Sequence, residues 1–328
     1  MLTTFLATLT PMLTLFFCIA VGFAAKKYRL LPDDAGKTMA KLETWVFCPA
    51  LSFSTMARYC TVETVGTHAQ NLALSACGVL VAIGIAIPLS RLFAKPETGA
   101  HGVYLYALTF ANSGYMGDPV VQGLFGDEVL SYYKLFCLPI SVAIYTWGIS
   151  RMIPGGKGSA LRKLVNPPMV GMFLGIFFGL TGLTSYLPAF AVGTLDALRA
   201  CMGPVAMLLA GFTIASYPMK EMLTDRKVYV ATALRLTLLP SVIVAVIFGL
   251  KTAAGALFGL SIGNEVLYYA FIATGAALGL NTVVFPEAYG GNPKTGAGMT
   301  LISHTLAVIT IPLALSLLTL LFGNPFAA

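Results

Sequence analysis

Two short stretches carry most of the polar and helix-interrupting residues found inside otherwise apolar sequence. FANSGYMGDPVVQGLFGDE (110–128) holds Asn112, Ser113, Gly114, Gly117, Asp118 and Pro119, and TGAALGLNT (274–282) holds Gly275, Gly279, Asn281 and Thr282. Glycine removes the steric bias toward helix and proline lacks the N–H of an intrahelical bond, so each cluster is expected to break a helix. The half-helix beyond a break offers free N–H donors and a partial positive charge suited to an anion. The amides of Asn112 and Asn281 add groups that both donate and accept. This is the chemistry of holding a small anion. No HExxH or GxxxxGK[ST] motif is present, so an enzyme or direct use of ATP is not expected. The six cysteines are scattered singly, without metal spacing, and read as free, mostly buried thiols. No cofactor or metal is expected.

Charged residues within apolar sequence extend this chemistry. Asp118 precedes Pro119, a natural N-cap and first-turn pair; alternatively its carboxylate binds a coupling cation or accepts a proton. His304, in SHTLAV, either relays protons or is a hydrogen-bonded histidine between helices. Arg235 lies six residues beyond Tyr229, ~9 Å at the helical rise, where it attracts a carboxylate or snorkels inward. Lys134 reads as snorkelling to the outer interface, and Glu43, beside Lys41, as interfacial.

Such residues need elements that cross a membrane. With 57% apolar and 10% charged residues and a mean hydropathy of +0.84, the 328-residue chain has too little polar surface for a water-soluble globule. Ten apolar runs, roughly 5–25, 38–58, 70–92, 102–126, 130–150, 167–186, 195–216, 229–250, 265–289 and 298–322, read as an all-α polytopic membrane protein. The first has no basic residues before it and is expected to be retained. If the spans alternate, fifteen of the twenty lysines and arginines fall on one side, which puts both termini outside and argues against nucleic acid as the reason for the net charge of +7.

The basic loop RMIPGGKGSALRKLVNPP (151–168) divides the spans five and five, so any repeat is inverted: 1–150 and 151–328. TPMLTLFFCIAVGF (10–23) aligns without gaps to PPMVGMFLGIFFGL (167–180), pairing Gly22 with Gly179. Spans 2 and 7 carry mid-helix prolines, Pro49 and Pro204, read with Gly275 as helix breaks; Pro139, Pro240 and Pro312 read as kinks. Spans 4 and 9 are the interrupted pair, and paired interruptions in corresponding helices mark the binding site of a secondary transporter.

The same residues resemble the auxin efflux carrier family, whose bacterial members include malate and malonate carriers. The similarity runs through KLETWVFCPALSFSTMA, FANSGYMGDPVVQGLFG, LRKLVNPPMVGMFLGIFFGL, ACMGPVAMLLAGFTIA and LNTVVFPEAYGGNP followed by LISHTLAVITIPL. It implies ten helices as two inverted five-helix repeats with helices 4 and 9 broken where they cross, in the manner of bile-acid transporters, and an elevator or rocking carrier in the inner membrane. By matching position, Asn112 and Pro119 take the first crossover roles and Asn281 the second. Two positions depart from the family: Asp118 stands where an apolar residue is usual, and Ala277 where the second crossover has proline. The partners expected are a small mono- or dicarboxylate, the lipid bilayer, H⁺ or Na⁺ as coupling ion, and a second copy in a homodimer. The alternative function is a membrane sensor or channel on the same fold.

Overall fold

The computed structural model describes residues 2–67, 69–152, 166–289 and 293–326; the basic residues at 157, 162 and 163 lie outside them, and Pro119 is described by its backbone alone. The described chain is helical, with one isolated β-bridge. Among the described residues, four helices are long and apolar enough to cross a bilayer: Ala69–Ser90, Ala189–Ala215, Arg226–Phe258 and Pro293–Phe322. A fifth is the pair Glu128–Phe136 and Leu138–Met152, bent by 44°. The chain is a multi-pass membrane protein, and large apolar side chains such as Phe17, Phe173, Phe177, Leu313 and Leu320 point outward, as a lipid solvent requires.

Of the other expected spans, the first is the continuous helix Leu2–Lys27 and the second runs through 35–59, while the rest are divided or short. Span 4 becomes Gly99–Thr109, a gap and a second half-helix; span 9 becomes Glu265–Gly275, a gap and Asn281–Tyr289. Span 6 is the 15-residue Pro167–Thr181, which Asn166 caps by accepting the Met169 N–H. Gly126, at φ 84°, turns the chain from the second half of span 4 into span 5.

The mid-helix prolines behave differently from expectation. Pro49 follows a five-residue π turn, Glu43–Phe47, and the helix runs through 35–59 without a break. A proline ring crowds the carbonyl one turn back, and a widened turn relieves that crowding while the Cys48 N–H still bonds Glu43 C=O. The same pairing of π turn and proline recurs at Ser113–Gly117 before Pro119 and at Leu234–Leu238 before Pro240. Pro204 lies inside the uninterrupted helix Ala189–Ala215. Neither Pro49 nor Pro204 breaks its helix, whereas Gly275 is the last residue before a break.

Two helix pairs form close seams. Leu2–Lys27 packs on Ala189–Ala215, and Cys48–Tyr59 on Pro167–Thr181. A β-carbon at Gly22 or Gly211 would overlap the backbone of Leu208 or Ile19; at Gly171, Gly175 and Gly179 it would come within 2.5 Å of the Pro49, Phe53 and Cys60 carbonyls.

Candidate functional site

The two gaps meet. Phe110 takes extended backbone (φ −115°, ψ 132°), Ala111 and Leu278 form the antiparallel bridge, and the Asn112 N–H donates to Ala277 C=O at 2.8 Å. Each gap thus supplies partners for backbone groups that the other leaves exposed, which is how irregular backbone is tolerated in a protein surrounded by lipid. Beyond the first gap the helix opens with the Met116 and Gly117 N–H groups sharing Asn112 C=O, each at 3.1 Å. At the second, Thr282 N–H and Oγ1–H both donate to Gly279 C=O, at 3.1 and 3.0 Å, and Leu278 N–H reaches Ser303 Oγ at 3.4 Å.

A cavity of about 80 Å³ lies against this junction, and Asn112, Ser113, Gly114, Gly279 and Asn281 line it. The two amides are held alike. Asn281 Nδ2 donates to the Tyr106 hydroxyl at 2.8 Å and Asn112 Nδ2 lies 3.3 Å from His304 Nε2, while neither Oδ1 has a hydrogen-bond partner. Gly114 faces open space; Gly279 has no unusual backbone angle, and a β-carbon there would meet the Tyr106 ring at 3.2 Å and Ala111 C=O at 3.5 Å. That glycine serves the close approach of the two gaps.

Gly117 and Thr282 are not among the lining residues. Gly117 is packed under Tyr133, whose hydroxyl donates to Ser113 C=O at 3.1 Å, and Thr282 is fully buried.

Asp118 is not a cap. The helix begins five residues earlier, at Ser113, and Asp118 has helical angles (φ −58°, ψ −52°) within it. Its carboxylate pairs with Lys134, and both line the cavity. Lys134 therefore turns inward instead of snorkelling outward. Both residues lie eight positions from the Gly126 turn, so the hairpin brings them to one level, a spacing that was readable in the sequence. Arg235, expected as a counter-charge, does not line the cavity: it is 1% exposed, in the π turn Leu234–Leu238, with Nε and Nη2 unbonded. Lys134 is the cation at the cavity. Glu43 is not interfacial either; it is fully buried, its carboxylate oxygens make no hydrogen bond, and the Tyr115 hydroxyl is its polar neighbour. His304 stands behind Asn112, 2% exposed, with Nδ1 bonded to Thr300 C=O at 3.0 Å.

Two interrupted helices of a membrane protein thus meet at a cavity that Asn112, Asn281, Asp118 and Lys134 line together with apolar side chains. The profile of the family described as "Membrane transport protein" matches residues 7–161 and 157–315. The chain belongs to this family, that of the auxin efflux carriers. It is also similar to an uncharacterized transporter of Methanocaldococcus jannaschii, 24% identical over 217 residues that cover 63% of this chain and 69% of the relative. An uncharacterized transporter of Methanothermobacter thermautotrophicus is 24% identical over 217 residues, 64% of this chain and 69% of the relative.

Proposed function

We propose that this membrane transporter is a secondary carrier of a small mono- or dicarboxylate, such as malonate or malate, working by alternating access across the cell's inner membrane. The observation that carries this reading is the buried junction of the two gaps, with the Asn112 and Asn281 amides, the start of the half-helix and Lys134 all at one cavity. A cavity of about 80 Å³ is near half the size of one that holds benzene (~150 Å³), which favours a short aliphatic acid over an aromatic one.

The same reading arranges the chain as two inverted five-helix repeats, 1–150 and 151–328, with ten crossings and both termini outside. Reciprocal packing supports it: the first expected span lies on the seventh and the sixth on the second. Gly22 and Gly179, paired by the repeat alignment, each bring a neighbouring backbone into contact. Coupling to H⁺ or Na⁺ is assigned to Asp118 or His304.

Counterflow in proteoliposomes tests the proposal, using labelled malonate, malate and an aromatic carboxylate at two pH values, with and without sodium. The expected result is exchange of the short acids and little of the aromatic one. Flux without counterflow would favour a channel, and no flux of any of the three would remove carboxylates as substrates.

A further inference from the structure

We infer that His304 is a proton-binding site whose occupancy decides which end of the Asn112 amide the cavity meets, so that a carboxylate is taken up together with a proton. The inference deepens the carrier reading above and rests on it for the identity of the anion.

The hydrogen bonds fix the direction of every donor. Thr300 C=O can only accept, so His304 Nδ1, 3.0 Å away, carries the hydrogen. In the neutral ring Nε2 is then a bare acceptor, and it faces Asn112 Nδ2 at 3.3 Å, which donates to it. This leaves Asn112 Oδ1 buried without a partner; Asn281, its Nδ2 held by Tyr106, also has a buried, unpaired Oδ1, and both residues line the cavity. In this state one N–H of each amide is spent on the protein, and each unpaired carbonyl oxygen disfavours a carboxylate beside it.

Protonation reverses the first of them. An imidazolium presents Nε2–H, and two donors then confront one another across the 3.3 Å contact. A half-turn of the amide resolves the conflict: Oδ1 accepts from Nε2–H, and the Nδ2 hydrogens swing to the cavity. One proton therefore removes an opposing acceptor, supplies donors and puts a positive charge directly behind them. Because a proton strengthens anion binding, the anion strengthens proton binding by the same factor.

The surroundings leave this imidazole in control of its own charge. Ser303 Oγ lies 3.5 Å from Nδ1 and accepts the Leu278 N–H, so His304 meets the first gap through Asn112 and the second by way of Ser303. The elements packed on Pro293–Phe322 bring Lys26, Lys27, Arg226, Lys227, Glu265 and Glu287 near their own ends. They also bring Arg235, the Asp196–Arg199 pair, Tyr106 and, with Lys294, Glu221. None of these forms a hydrogen bond or ion pair with the ring, whose partners are Asn112, Thr300 and Ser303.

Two measurements on the full-length protein in detergent test the inference separately from the carrier reading. First, with ¹⁵N-labelled histidine and no ligand, His304 should give the Nδ1–H tautomer at neutral pH and imidazolium on acidification. The chain has three histidines, so His304→Gln identifies the signal. An Nε2–H tautomer overturns the switch whatever the protein transports. Second, malonate titrations in buffers of different ionisation enthalpy should show uptake of about one proton per malonate. The affinity should rise by up to about tenfold per pH unit of acidification, with both features lost in His304→Gln. Malonate binding by wild type without proton uptake overturns the coupling. No malonate binding at any pH overturns the carboxylate reading instead, and the tautomer still decides the switch.

Discussion

The two gaps that meet at the cavity differ in the sequence around them. The first is followed by a π turn, Ser113–Gly117, and Pro119, the same pairing that leaves the helix at Pro49 whole. The second has neither, with Ala277 where a proline is expected. Its chain nevertheless leaves the helix at Ala276 with φ −61° and ψ 164°, backbone that suits a residue preceding proline. What holds the second gap open comes from outside it: Asn112 N–H on Ala277 C=O, Ser303 Oγ on Leu278 N–H, and Tyr106 against Gly279. A break held by its neighbours' hydrogen bonds therefore need not carry a proline.

Mutations distinguish the two arrangements. The largest effect is expected at the ion pair found beside the first gap alone. Lys134→Met leaves the Asp118 carboxylate without its partner and should lower stability by about 3 kcal/mol, read as a fall in thermal midpoint in detergent. The double variant Asp118→Asn/Lys134→Met should recover most of it, and an unchanged midpoint in the single variant would mean that the pair holds nothing together. Next come the amides. Asn112→Ala and Asn281→Ala each delete a buried hydrogen-bonding group worth about 1–3 kcal/mol, so counterflow should weaken by roughly tenfold or more. The loss should be greater at Asn112, which also takes away the partner of His304 Nε2; equal losses would erase that asymmetry.

Smaller effects separate space from ligand. Gly279→Ala forces the gaps apart against the Tyr106 ring and should cost about 1–2 kcal/mol of stability. Gly114→Ala places its methyl in open space, so the midpoint should hold while malonate counterflow declines; a fall in midpoint would show that Gly114 is packed. The smallest change is expected for Ala277→Pro. Given the backbone of Ala276, it should shift stability by no more than about 1 kcal/mol, and a large loss would mean that the second gap depends on the freedom of residue 277.

Residue types revealed where the chain is interrupted because glycine, asparagine and proline act locally. Asn112 and Asn281 could be picked out for that reason, and both line the cavity. The charged residues were harder to place. Hydropathy reports depth along a span but not which face a side chain takes: Lys134 and Glu43 turned out to point inward, and Arg235 to be buried away from the cavity. The mid-helix prolines misled for a related reason. A π turn absorbs Pro49 without a break, and nothing in the residues themselves distinguishes that outcome from the interruption at Asn112. The second gap was legible in Gly275 and Gly279 and in its correspondence to the first, while the contacts that hold it, from helix Pro293–Phe322 and from Tyr106, were not.

The glycine seams set a limit on what can move. Where Gly22 and Gly211 leave no room for even a methyl group, the facing main chains rest on one another, and the same is true along Gly171, Gly175 and Gly179. On the carrier reading proposed above, surfaces so closely keyed leave no slack for sliding and make the helices they join the stator. The stroke that carries a solute across the membrane then falls to the interrupted helices and their remaining neighbours.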